Sequence, residues 1–300
     1  MKMQRLLLVM VMLMMSSTVF ATEQAPKGEI APSVVFIGNS FMFGFGSPVR
    51  FYRAQTVTDL NGEGTGGVPA LFKMFISQAG RNFRVSLETK AGAGFDYHVQ
   101  HKAAVIGQAW DYVVMQGYST LDSNKPGDPT LLVRSAKELA ELLRKKNPDV
   151  DIRLIATWSR ADQVYPKFGH WYGQPIEKMA LDIRAAYDLA AAGSPAIRGI
   201  IPVGEAWNRA FNTGVADPNP YDGISAGQIN LWTYDHYHAS AFGYYLEALM
   251  IFGDLTGLDP RSLGRNERAA LELGFSPEQT SALQKIAFDE LSAAKERQRR

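Results

Sequence analysis

Five short apolar runs recur along the chain, at residues 33–37 (SVVFI), 83–89 (FRVSLET), 112–116 (YVVMQ), 152–157 (IRLIAT) and 197–203 (IRGIIPV). A strand with one wet face alternates apolar and polar residues. These runs are close to continuous and most are rich in β-branched residues, which predicts strands covered on both faces. Helix-patterned segments separate them, at residues 69–78, 95–107, 129–146 and 174–192. The first has Pro69 in its opening turn and Gly80 just past its end, the expected asymmetry of a helix. Strand and helix in regular alternation imply a parallel sheet with helices on both sides. The prediction is a three-layer α/β/α sandwich around a five-stranded parallel sheet.

Both ends of the chain read differently. Lys2 and Arg5 precede an unbroken apolar run over residues 6–15, and small residues surround Ala21. That is the pattern of a cleaved secretory signal over residues 1–21, too short to span a bilayer of roughly 30 Å. Residues 22–258 are then the predicted folded domain. Residues 259–300 read as a helical extension, with a capping-box start at Ser276 to Gln279 and a basic end. Without the leader the chain carries 29 Lys and Arg against 30 Asp and Glu, so charge gives no reason to expect nucleic acid or acidic lipid as a partner. The absence of Cys excludes disulfides, thiolate zinc sites and thiol catalysis. An exported protein without Cys suits a periplasm or the extracellular space.

In a parallel α/β sheet the ligand crevice lies beyond the carboxyl ends of the strands. The residues there are Gly38-Asn39-Ser40, Ala91-Gly92-Ala93-Gly94, Gln116-Gly117-Tyr118-Ser119 and Trp158-Ser159-Arg160. Ser40, where a strand turns, can present its hydroxyl near backbone N–H groups that favour developing negative charge. The same three residues also make an ordinary turn. Asp235 and His238, three apart before the last apolar helix at 239–255, can lie side by side in one turn. An aspartate holding one ring nitrogen leaves the other free to take a proton from a serine. A helix-capping Asp beside a surface His fits the same spacing.

Other motifs point elsewhere. His98/His101 and His236/His238 suggest a metal site, yet no His pair has the i, i+4 spacing common in zinc helices. The glycine-rich segment 62–67 lacks the Lys-Ser/Thr of a phosphate loop and reads as a solvated turn. No G-x-S-x-G surrounds a serine.

The blocks together resemble the SGNH (GDSL-like) hydrolases, and more closely a subgroup whose first block ends in G-N-S-F. Here the first block is Val34-Val35-Phe36-Ile37-Gly38-Asn39-Ser40-Phe41, and the last contains Asp235-His236-Tyr237-His238 as D-x-x-H. The resemblance spans residues 33–257. It implies a flavodoxin-like sheet and a Ser40–His238–Asp235 triad. It also implies an oxyanion hole formed by the Ser40 and Gly92 N–H groups and a side-chain amide. Ala91-Gly92-Ala93-Gly94-Phe95-Asp96-Tyr97-His98 resembles the subgroup's G-G-x-x-L-x-x-H, aligning Gly92 with the functional glycine and leaving Gly94 as the lesser candidate. Gln116 stands where most of the superfamily has Asn, and its amide can donate the same N–H.

The implied activity is ester hydrolysis through an acyl-enzyme, with an O-acyl or O-acetyl group, possibly on a carbohydrate, as the substrate class. No cofactor or metal is required. An O-acetyltransferase or a non-catalytic glycan-binding protein on the same fold remains the alternative. Substrate choice is expected in two loops: residues 159–173, with Tyr165, Phe168, His170, Trp171 and Tyr172, and the polar residues 212–234. The aromatic residues could equally cover the edge of the core.

Overall fold

A computed structural model describes residues 31–299. The expected leader, with its cut after Ala21, lies outside the described residues. All five apolar runs form strands: β1 (Ser33–Gly38), β3 (Arg84–Thr89), β4 (Tyr112–Met115), β5 (Asp151–Ala156) and β6 (Ile197–Pro202). A sixth, β2 (Thr58–Asp59), pairs with Ser86 and Leu87 of β3 at the sheet edge. The count of five is therefore corrected to six. The extra strand carries no apolar signal, because only its backbone pairing with β3 makes it a strand.

All pairings are parallel, in the order β2-β3-β1-β4-β5-β6. With the edge strand set aside, this is the flavodoxin-like order. β1 therefore has β3 on one side and β4 on the other, so the chain reverses its direction of travel across the sheet there. Crossovers are right-handed, and opposite directions of travel place the helices on opposite faces. The crevice opens at this switch point, directly beyond Gly38.

The helices are α1 (Ser40–Phe43), α2 (Gly67–Gln78), α3 (Phe95–His101), α4 (Ala103–Ile106), α5 (Thr130–Arg144), α6 (Ala161–Val164), α7 (Glu177–Ala192), α8 (Val203–Asn212), α9 (Ala241–Thr256), α10 (Arg268–Glu272) and α11 (Pro277–Arg299). One layer is α2 packed on α9, and the other is α3, α5 and α7. The predicted 95–107 helix breaks at Lys102 into α3 and α4. Phe36, Ile37, Val113, Val114, Leu154, Ile155 and Ile201 are fully buried along the sheet. Each such aliphatic or aromatic side chain contributes about 1.5–3 kcal/mol.

The segment at 62–67 divides in two. Residues 62–64 are exposed and 65–67 are buried. The Asp59 carboxylate accepts the N–H groups of Asn61, Glu63 and Thr65 and holds the turn. Gly67 has φ +63°, and a Cβ there would lie 2.6 Å from the Met42 carbonyl oxygen. Glycine thus lets the start of α2 press against α1, the helix that carries Ser40.

Beyond residue 258, α11 packs on α9 and α8, burying Leu283, Ile286 and Ala287. Ser276 and Gln279 exchange reciprocal capping hydrogen bonds at its start. Phe275 stacks on Phe242 of α9 with ring centroids 4.2 Å apart.

Candidate active site

Ser40 is the first residue of α1 and follows β1 after a single residue. Asn39 caps this short helix, its side-chain oxygen accepting the Phe41 N–H at 3.1 Å. The Ser40 N–H is one of the opening N–H groups that a helix leaves without an internal partner. Phe41 anchors the turn by stacking on Trp158 at 4.2 Å and 5°, and Trp158 stacks in turn on Trp207 at 4.7 Å and 5°.

Asp235 and His238 lie in a tight loop closed by an antiparallel bridge between Trp232 and Ala239. Thr233 N–H donates to the His238 carbonyl oxygen at 2.8 Å. Asp235 Oδ1 accepts the Tyr237 and His238 N–H groups at 3.0 and 2.9 Å. Its other oxygen lies 2.6 Å from His238 Nδ1. Asp235 caps this loop and not a helix; the cap of α9 is Ser240, which accepts from Phe242 and Gly243.

The loop brings His238 Nε2 to 2.8 Å from Ser40 Oγ, across 198 positions of sequence. Ser40 and His238 are both buried, at 5% and 6% exposed. Burial holds the His238 imidazole below its ordinary pKa, against the opposing pull of Asp235. Burial would raise the Asp235 pKa, but the hydrogen bonds from His238 and from the backbone outweigh it and keep the carboxyl below its usual range. A neutral imidazole, oriented by a carboxylate and aimed at a hydroxyl, can accept that hydroxyl's proton.

Gly92 lies in an exposed turn between β3 and α3 with φ +69°, a conformation that favours glycine. Among the described residues no acceptor takes its N–H. Asn39 Nδ2 ties this turn to the one bearing Ser40 by donating to the carbonyl oxygens of Ala93 at 2.8 Å and Gly117 at 3.1 Å. Gly94 caps α3, and a Cβ there would lie 2.7 Å from Asp96 Oδ1. Gln116 departs from the expected placement. It is fully buried; its Oε1 accepts the Asn39 N–H at 3.3 Å, and its Nε2 donates to the carbonyl oxygen of Gly117. In this structure both ends of its amide are engaged by buried backbone groups, and it braces Asn39. The block pattern located the residue, but spacing alone does not say which way an amide turns.

The remaining motifs separate. His98 is buried against Glu88, and the His236 ring packs on Tyr221 with centroids 4.4 Å apart. Among the described residues, no three His, Asp or Glu side chains converge as ligands. In the loop after β5, the Trp171 indole donates to Asp182 and the Tyr165 hydroxyl to the Pro218 carbonyl oxygen, whereas Phe168 and Tyr172 are exposed. The 212–234 loop is less open than its composition suggests, with Ile229, Leu231 and Trp232 in the core.

Two further residues, to which the sequence motifs assign no role, shape the site. Asn39 links three blocks, and Arg160 lies over the Tyr237 ring beside His238. Both stand at carboxyl ends of strands, which is the signal that could have found them.

No family model matches this chain, and no curated protein matches it. Solved structures do. A DUF4886 family protein from Bacteroides uniformis superposes with a TM-score of 0.61 at 19% identity, over 87% of this chain and 95% of that one. A protein from Parabacteroides merdae, described as a candidate GDSL-like lipase, gives 0.51 at 15% identity, over 75% and 95%. At these identities the likeness is one of fold.

Proposed function

We infer that this chain is a serine hydrolase of the SGNH type that cleaves an ester, with an O-acyl group such as acetyl, carried on a carbohydrate, as its substrate class. The observation that carries the reading is the 2.8 Å approach of His238 Nε2 to Ser40 Oγ, with Asp235 bound to the other ring nitrogen. The shared fold with the Parabacteroides merdae protein agrees with it.

In the acylation step His238 takes the proton of Ser40 as Oγ attacks the ester carbonyl. Asp235 stabilises the resulting imidazolium. The N–H groups of Ser40 and Gly92 receive the carbonyl oxygen as it becomes negative. The imidazolium then gives its proton to the departing alcohol. Water enters, yields its proton to His238 and attacks the acyl-enzyme, which releases the acid and restores Ser40. Gln116 keeps the nucleophile's turn in place through Asn39. The leader pattern supports export to a periplasm or the medium, where O-acylated glycans are accessible.

The test is hydrolysis of p-nitrophenyl acetate by the wild-type chain and by Ser40→Ala, each with and without chelator. Turnover that vanishes in the variant and ignores the chelator supports the reading. Equal turnover in Ser40→Ala overturns it.

A further inference from the structure

The segment following β5 grips the histidine loop at several points. The Trp158 indole N–H donates to the Tyr237 carbonyl oxygen at 3.2 Å, and the Asp162 N–H to that of His236 at 3.2 Å. The Trp232 indole, at the base of the same loop, donates to the Ser159 carbonyl oxygen at 3.0 Å. Between these points the Arg160 guanidinium lies over the Tyr237 ring, 3.4 Å from its centroid, and the Tyr237 ring is 4.0 Å from that of His238. The guanidinium is itself fixed on three sides. Nη1 donates to Ser119 Oγ at 3.1 Å, while Nε and Nη2 fork onto the Asp162 carboxylate at 3.0 and 2.6 Å.

The loop needs such support. His236 has φ +55°, a left-handed conformation that is strained for a residue with a Cβ and persists only where the surroundings impose it. Arg160 is 8% exposed, so its charge is weakly screened. A guanidinium flat on an aromatic face, with its fork satisfied, is a rigid cap that a lysine cannot reproduce.

We propose that Arg160 is a positioning residue for His238: stacked on Tyr237 and tied to Ser119 and Asp162, it holds the imidazole on Ser40 and supplies the positive charge that the imidazole faces. This rests on the serine-hydrolase reading. The charged groups facing His238 are Asp235 on its own loop and the Arg160–Asp162 pair from beyond β5. The α1 side contributes Ser40, Phe41 and Phe45, none of them charged. Burial is the main cause of the depressed His238 pKa; within that setting Arg160 disfavours the imidazolium and Asp162 favours it.

The experiment is the pH dependence of kcat and KM for p-nitrophenyl acetate in the full chain. The variants are Arg160→Gln, Arg160→Lys, Asp162→Asn and the Arg160→Gln/Asp162→Asn double. Arg160→Gln is expected to move the acid limb up by about one pH unit and to lower kcat with KM little changed. Asp162→Asn should move the limb down. The double variant should restore the limb and keep the lowered kcat, and Arg160→Lys should keep the limb and lose kcat. A buried structural arginine without this role would lower stability in Arg160→Gln and leave the limb where it was. Limbs that superimpose on the wild type, or that move the same way in both single variants, overturn the proposal. Should Arg160→Gln not fold, the limb of Asp162→Asn decides alone. Ser40→Ala is the control: activity there would mean that the serine reading, and not the placing of Arg160, had failed.

Discussion

Phe41 lies parallel to Trp158 at 4.2 Å, and through this one stack the turn bearing Ser40 rests on the carboxyl end of β5. Phe41 and Trp158 are both fully buried, and Trp158 passes the support on to Trp207. Ser40 is therefore placed by aromatic packing beneath it as much as by the backbone of its own short helix. Removing the ring leaves a cavity directly under the serine.

Phe41→Ala is accordingly expected to cost about 3–5 kcal/mol of stability. It should also slow turnover per folded molecule, because the turn bearing Ser40 loses its seat. Denaturant unfolding measures the first effect, and kcat normalised to Ser40 labelled by a phosphonate ester measures the second. Wild-type turnover per labelled serine would show that the stack serves stability alone.

The depressed pKa of His238 predicts where activity fails on the acid side. The imidazole must be neutral to act as base, and burial keeps it neutral below the ordinary 6.5. The acid limb of kcat/KM should thus inflect below that value. Asp235→Asn removes the group that favours the imidazolium, so the limb should move further down while the rate falls by about 10⁴-fold as orientation is lost. An inflection above 6.5 in the wild type would contradict the burial argument.

Gly92 and Gln116 should fail in different ways. Gly92→Ala forces a residue with a Cβ to φ +69°, at about 1–2 kcal/mol, and displaces the N–H proposed to meet the developing oxyanion. Its kcat should drop by about 100- to 1,000-fold with a modest change in melting temperature. Gln116→Ala leaves the buried Asn39 N–H without an acceptor, at about 1–3 kcal/mol, and opens a cavity beneath it. Its melting temperature should fall clearly, in contrast with that of Gly92→Ala, whose site is exposed. A Gln116→Ala protein of unchanged stability and crippled turnover would return the amide to the oxyanion hole.

Glu247 predicts a pH-dependent weakness in the core. It sits in α9 fully buried, and among the described residues neither carboxylate oxygen has a hydrogen-bond partner. Burial raises its pKa well above the ordinary carboxylate range. The folded state therefore holds a proton that the unfolded chain releases near pH 4.3. Stability from this group is complete below that pH and declines as pH rises towards the folded-state pKa, by about 1.4 kcal/mol per pH unit. Glu247→Leu should melt higher than the wild type at pH 7–8, with the gap narrowing towards pH 4. A gap that is constant across pH would show that the carboxyl does not titrate with folding.

The central strands could be read from the chain because a strand covered on both faces must be apolar along its length, and that requirement is local. β1, β3, β4, β5 and β6 announced themselves in this way, and their regular alternation with helices implied the layers. Ser40, Asp235 and His238 drew attention for a related reason: each lies where a strand or loop must turn, and polar residues at such turns stand out against the apolar runs beside them. β2 was not legible, since Thr58 and Asp59 become a strand only by pairing with β3. Three matters needed the folded molecule. The meeting of His238 with Ser40 spans 198 positions, and no short-range pattern encodes such an approach. The direction of the Gln116 amide depended on which buried partners, Asn39 and Gly117, arrived beside it. The stack of Arg160 on Tyr237 joins residues that share neither an element nor a motif. Burial leaves a periodic mark on a sequence because it recurs with the geometry of each element. A polar contact between distant elements recurs with nothing, and the packing of the whole sheet decides it.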